Sequence, residues 1–357
     1  MADGRPPVDD APASASAAAR SPLHAFVRWE SVLLLFLGAT ILYGSHVSPA
    51  FLKSDNIFYI GLNVGEVAIM ALPLALIVIT GEIDLSVAST LGLAGVVMAE
   101  LFKHGWPIWP AMGAALVLGA AAGALNGFLV TRVGLPSLAV TIGTLTLYRG
   151  IAQVILPTDT IGGFPESLSN IGVVPIQGTQ LPYSIAFFAA LALVFVVALH
   201  ATPLGRSIFA IGASQEAAFF AGIRVKRIKF WLFVLSGLLS GFAGILWTLR
   251  FSSARYDSGV GLELFVVTIV LLGGVSIFGG RGTIVGVLAA VAVLGCLQTA
   301  LTLAQVSAQN QNIVVGALLI ASVIVPNAAD LYRRARLRLR SAAARRQRGE
   351  QSRMEAR

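Results

Sequence analysis

Three places in this sequence bring together side chains able to do acid–base, ionic or anion-binding chemistry. Glu82 and Asp84 stand two residues apart, and neighbouring carboxylates can exchange protons or hold a metal. The histidines needed to complete a metal site are scattered at 24, 46, 104 and 200, so spacing assembles no ligand set. A structural role is expected instead: Asp84, beside Ser86, caps the helix that follows and complements its positive dipole end. The run Gly279-Gly280-Arg281-Gly282, with Gly286, has the amide density of a phosphate-binding loop. No strand pattern precedes it, and no Gly-x-x-x-x-Gly-Lys-Ser/Thr sequence occurs in the chain. A tight turn is the reading, with Gly282 and Gly286 as a small-residue packing face.

The third place is a pair of ionisable residues inside apolar runs. Such residues are costly in a membrane and point to function or pairing. Glu66 and Arg149 fall roughly 13 and 10 Å from the outer ends of their runs at about 1.5 Å per residue. Asn63 shares a helical face with Glu66, and Thr141, Thr144 and Tyr148 share one beside Arg149. Two readings stand: a polar lining suited to a substrate's hydroxyl groups, or a Glu66–Arg149 ion pair inside the bundle.

These groups must be held by membrane helices. The chain has 357 residues, 56% hydrophobic and 12% charged, where a soluble domain carries about 25% charged residues; the mean hydropathy is +0.83. Runs near the 20 or so residues that cross a bilayer predict ten spans, at 29–47, 57–79, 85–102, 108–130, 135–156, 183–200, 230–250, 263–279, 283–304 and 311–326. The first reads as a retained anchor, because no small-residue cleavage site follows it. The fold expected is all-α and polytopic. Residues 1–28, rich in Ala, Pro and Ser, are expected to be a disordered tail, 29–327 the membrane domain, and 328–357 a basic tail against anionic lipid. Gly119, Gly123 and Gly127, and likewise Ser236, Ser240 and Gly244, recur every four residues as helix-contact faces. Cys296 has no partner for an intrachain disulfide.

Direction follows from the basic residues, which are retained in the cytoplasm. With both termini inside, twenty Lys and Arg are cytoplasmic and only Lys53, Lys103, Arg250 and Arg255 lie outside. The net charge of +8 therefore speaks for a membrane surface and not for nucleic acid. The loop 157–182 is then external, and the loop Thr202 to Lys229 internal.

That inner loop contains Ala210-Ile-Gly-Ala-Ser-Gln-Glu-Ala-Ala-Phe-Phe-Ala-Gly-Ile223. Ser214 is placed to cap a short helix and Gly222 to end it. On physics alone the segment is either an interfacial helix or a docking element.

The stretch from Trp29 to Asn327 resembles the permease subunit of bacterial ABC importers for monosaccharides, of the ribose, rhamnose and autoinducer-2 kind. Three segments carry the likeness: Gly81-Glu-Ile-Asp-Leu-Ser86, the loop quoted above, and Leu272-Gly-Gly-Val-Ser-Ile-Phe-Gly-Gly-Arg-Gly-Thr283. Glu216-Ala217-Ala218 followed by Gly222 also fits the Glu-Ala-Ala-x-x-x-Gly pattern of importer permeases in general. The resemblance implies a type II importer-like fold and a coupling helix built from Gly212, Ser214, Glu216, Ala217, Ala218 and Gly222. It further implies an ATP-binding subunit inside, an extracytoplasmic sugar-binding protein, and a second permease copy or paralogue. Small side chains at Ala217 and Ala218 would let the ATPase surface approach closely. No catalytic group, cofactor or metal is expected. Branched-chain amino acid or nucleoside permeases share the plan, and a self-contained proton-coupled transporter with Glu66 as its protonated group is the rival from another class.

Overall fold

The computed structural model describes residues 22–325, with side chains from Trp29 onward. The expected basic tail 328–357 and most of the tail 1–28 lie outside the described residues. All regular structure among them is helical, apart from two isolated bridges pairing Ile161 with Ala254 and Pro175 with Pro182. The helices are α1 (Pro22–Val47), α2 (Ser54–Ile79), α3 (Val87–Lys103), α4 (Ile108–Phe128), α5 (Ser137–Ile155), α6 (Glu166–Val173) and α7 (Tyr183–Ala201). They continue with α8 (Pro203–Ala213), α9 (Gln215–Phe220), α10 (Val225–Arg250), α11 (Leu262–Leu272), α12 (Ile284–Leu303) and α13 (Ala308–Val325).

Each of the ten apolar runs contains a helix, and among the described residues eight helices are long and apolar enough to cross a membrane. The protein is therefore a polytopic membrane protein. Two expected spans fall short. The run 85–102 becomes α3, with 17 residues. The run 263–279 yields only the 11 residues of α11, about 16 Å of helix against a hydrocarbon core of about 30 Å. Gly273 and Gly274 end it: Gly274 has φ +82°, a conformation that leaves the helix at no steric cost to glycine. Residues 275–283 then form the expected turn. α1 begins at Pro22, earlier than expected, with proline in the first helical turn where its missing amide is harmless. α4 runs on through a π-helical turn, Leu129–Val133.

α2 is apolar on all sides and almost wholly buried, as a helix surrounded by others must be. α10 lies beside it and packs on α2, α3 and α4. The α4–α10 contact is made by glycines, as expected: a side-chain carbon added to Gly119 would stand 2.5 Å from the Gly237 carbonyl oxygen. α5, α7 and α13 leave much of their apolar surface uncovered, the face a bilayer would solvate. One end of the bundle gathers the end of α2, the α2–α3 turn, α8, α9, the start of α10 and the turn 275–283. The other gathers α6, the end of α10 and the loop 251–261.

Candidate coupling site

The three segments quoted from the sequence are far apart in the chain and meet at one end of the bundle. Their contact is backbone on backbone. Ile79, the last residue of α2, accepts a hydrogen bond from Gly280 N at 2.8 Å. Gly212, near the end of α8, lies against both the Ile79 carbonyl and Gly280, so any side chain at 212 collides with main chain. Gly279 and Gly280 hold φ of +80° and +73°, which explains two glycines where the turn folds back. Further amides of this turn are engaged within it: Gly279 N donates to Ser276 O and Ser276 N to Arg281 O.

α9 stands out from this platform. Ser214 caps it as expected, its Oγ accepting from Ala217 N at 3.2 Å. Gly222 has φ +81°, and the chain leaves the helix there, with Gly222 N donating to Phe219 O and Ile223 N to Ala218 O. The side chains divide sharply. Ala218 is 3% exposed and packs with Ile211 and Val225, so it holds α9 against its own chain and offers nothing to a partner. Phe219 and Phe220 are 66% and 79% exposed, and Glu216 and Ala217 are exposed beside them. Of these, Glu216 and Phe219 border, with Arg132, Arg224 and Arg227, a groove of about 710 Å³.

Behind α9 lies a polar relay. Lys229 of α10 is 4% exposed; its Nζ donates to Glu82 Oε1 at 2.5 Å and to Gln215 Oε1 at 2.8 Å. Two helical turns further, Ser236 Oγ donates to Asp84 Oδ2 at 2.8 Å. Asp84 does not cap α3, whose first turn it never reaches. Its other oxygen, Oδ1, accepts from Ser86 N and Ser86 Oγ at 3.0 and 2.7 Å, and Ser86 Oγ in turn accepts from Asn126 Nδ2 at 2.8 Å. A buried carboxylate thus held by hydroxyls and an amide is satisfied without a cation. Ile83 is pinned by α5: its N donates to Ser137 Oγ, and its carbonyl accepts from Thr141 Oγ1.

The residues read as one polar lining separate into two groups. Thr141, Thr144 and Tyr148 are buried, Thr141 on the α2–α3 turn and Tyr148 on the Ala122 carbonyl of α4. Asn63 and Glu66 belong to another cluster, and the expected Glu66–Arg149 pair does not form. Arg250, from the end of α10, takes Arg149's place: its Nη1 donates to Leu62 O at 2.6 Å and to Glu66 Oε2 at 3.2 Å, and its Nη2 to Asn63 Oδ1 at 2.6 Å. Depth along a span gives no azimuth, and azimuth separates Arg149 from Glu66. Arg149 passes Gly92 of α3 and donates from Nη1 to Tyr256 O and Ser258 O at 2.8 and 2.6 Å. A side chain at position 92 would block that path.

Lys229, Asn126 and Arg250 escape the sequence reading, and Ser236 appears there only as a packing residue. Lys229 counts there as one member of a basic loop. The available signal is its spacing: Val225, Lys229, Leu232, Phe233 and Ser236 fall on one helical face, and all five are buried.

Residues 56–323 match the family described as branched-chain amino acid transport system, permease component. The chain is 33% identical over 313 residues to the autoinducer 2 import system permease protein LsrD of Klebsiella pneumoniae subsp. pneumoniae, covering 86% of this chain and 93% of the relative. It is 34% identical over 311 residues to the LsrD proteins of Escherichia coli O9:H4 and Shigella flexneri, covering 85% of this chain and 93% of each. No solved structure matches. The chain belongs to this permease family.

Proposed function

We propose that this permease is the membrane subunit of an ATP-driven importer for a small sugar of the autoinducer-2, rhamnose or ribose class. ATP is hydrolysed by a partner subunit that docks on α9. The observation that carries the docking assignment is the division of α9 into a buried anchor, Ala218, and an exposed pair, Phe219 and Phe220. Two neighbouring exposed phenylalanines on a well-anchored helix are the aromatic anchors that protein interfaces favour. Gly212, Ser214 and Gly222 set the helix in place, and Glu216 and Ala217 flank the docking face. The substrate class rests on the three relatives described above, each named for autoinducer 2 import, and on the resemblance of the three sequence segments to sugar permeases.

With the α9 end in the cytoplasm, both termini are cytoplasmic and the basic residues divide twenty to four. An extracytoplasmic sugar-binding protein delivers substrate to the opposite end, and a second permease copy or paralogue completes the pathway. Residues 29–327 form the membrane domain, between two cytoplasmic tails. The proton-coupled alternative is disfavoured by the setting of Glu66, whose carboxyl group is bound by the same Arg250 guanidinium that holds Leu62 O and Asn63 Oδ1.

The experiment co-expresses the permease with a candidate partner ATPase and purifies the complex through the permease. Phe220→Asp with Phe219→Ala should insert at normal abundance, lose the ATPase, and abolish uptake of labelled sugar. Co-purification and uptake at wild-type levels would remove α9 as the docking element. Uptake by the wild-type complex of leucine or a nucleoside, and of none of the three sugars, would move the chain to another branch of its family.

A further inference from the structure

We propose that Lys229 is the positioning residue that transmits movement of α9 to the membrane helices. The inference rests on the docking reading above and adds the route by which docking is felt. Gln215 opens α9, and among the described residues its bond to Lys229 is the side-chain hydrogen bond that joins α9 to another element. The same ammonium holds Glu82 in the α2–α3 turn. A lysine ammonium has three donors and no acceptor. Buried at 4% exposure, with both partners on one nitrogen, it ties the position of Gln215 to that of Glu82. Displacement of Gln215 therefore drags Glu82, or α10, or both.

The turn that receives this pull is stiff. It is fastened to α10 a second time by Asp84 and Ser236, to α4 through Ser86 and Asn126, and to α5 at both polar groups of Ile83. A shift at Glu82 is thus shared by α2, α3, α4, α5 and α10 together. Of the two clamps between the turn and α10, only the Lys229 clamp also reaches α9. Removing it leaves the Asp84–Ser236 clamp to hold the fold, and the Ile211–Ala218–Val225 contact to hold α9 in place. The structure separates holding from transmission.

The test uses the full complex with its ATPase in proteoliposomes, measuring ATPase co-purification and the number of sugar molecules imported per ATP hydrolysed. Lys229→Met should retain the ATPase but import about tenfold less sugar per ATP, the factor expected when one charged hydrogen bond is lost from a coupled equilibrium. Gln215→Leu keeps the Lys229–Glu82 bond and should uncouple to a similar degree, so the idea remains testable if Lys229→Met folds poorly. Lys229→Arg, whose guanidinium can serve both acceptors, should restore most of the ratio. An unchanged ratio in Gln215→Leu would overturn the proposal. So would loss of the ATPase from Gln215→Leu, since that would make Gln215 part of the docking surface. Failure of the docking reading gives a different pattern, in which the Phe219 and Phe220 variants retain the ATPase.

Discussion

Arg250 closes over Glu66 across 184 residues of sequence, its Nη1 3.2 Å from Oε2. The same guanidinium binds the Leu62 carbonyl and the Asn63 amide oxygen, and its carbon lies 5.0 Å from the Phe251 ring centre. Glu66 is 1% exposed and Arg250 11%, so the pair ties the middle of α2 to the end of α10 in a setting with little water. Removing one member leaves the other charged and buried, which costs about 3–5 kcal/mol.

Glu66→Gln should therefore lower the yield of folded protein and its melting temperature in detergent. Adding Arg250→Met should recover part of the loss, because no charge is then stranded. Adding Arg149→Met to Glu66→Gln should recover nothing. A double-variant melting series separates the two partners directly.

Arg149 has a different task, supplying donors to two carbonyls of the irregular loop 251–261. Backbone acceptors in such a setting need partners. Arg149→Met should leave the Tyr256 and Ser258 carbonyls without their donor and loosen that loop. Hydrogen exchange or limited proteolysis should report faster opening at residues 252–261, while α9 and the α2–α3 turn stay as protected as in the wild type.

The α4–α10 contact should be intolerant of bulk. Gly237 lies against the Gly119 carbonyl and the Gly123 backbone, which cannot turn aside as a side chain can. Gly237→Leu should destabilise by at least about 3 kcal/mol, the upper part of the range for overpacking. Gly143→Ala on α5, where nothing lies within 4 Å, should be neutral or stabilise by up to about 1 kcal/mol. Thermal melting of the two variants checks the contrast.

Orientation is tested with single cysteines in a Cys296→Ser background. Asn170 on α6 and Arg206 on α8 are both exposed and stand at opposite ends of the bundle. Asn170→Cys should react with an impermeant thiol reagent added to intact cells, and Arg206→Cys only after lysis. Reversed labelling would place α9 outside and remove it from any contact with an ATPase.

The sequence alone determined the membrane class, the position of nearly every helix and the short helix of the inner loop. Hydropathy is a sum over neighbours along the chain, and a glycine or a capping serine acts on its own few residues, so these features need no tertiary partner to be read. Ser214 capping α9, Gly222 ending it, and the glycine face of Gly119, Gly123 and Gly127 are of this kind. Partnership is not local. Glu66 and Arg149 share a depth but not an azimuth, and only packing decided that α2 turns Glu66 toward Arg250. Ala218 looks like a docking residue in a string of small residues, yet the angle of α9 on the bundle turns it inward and Phe219 and Phe220 outward. Lys229 sits in a cationic stretch whose net charge marks a membrane surface, while its burial between Glu82 and Gln215 depends on three segments meeting. The span that hydropathy extends to residue 279 stops at Leu272, because Gly273 and Gly274 turn the chain out of the helix, Gly274 at φ +82°. Charge and length are properties of the chain, whereas which groups face one another is a property of the fold.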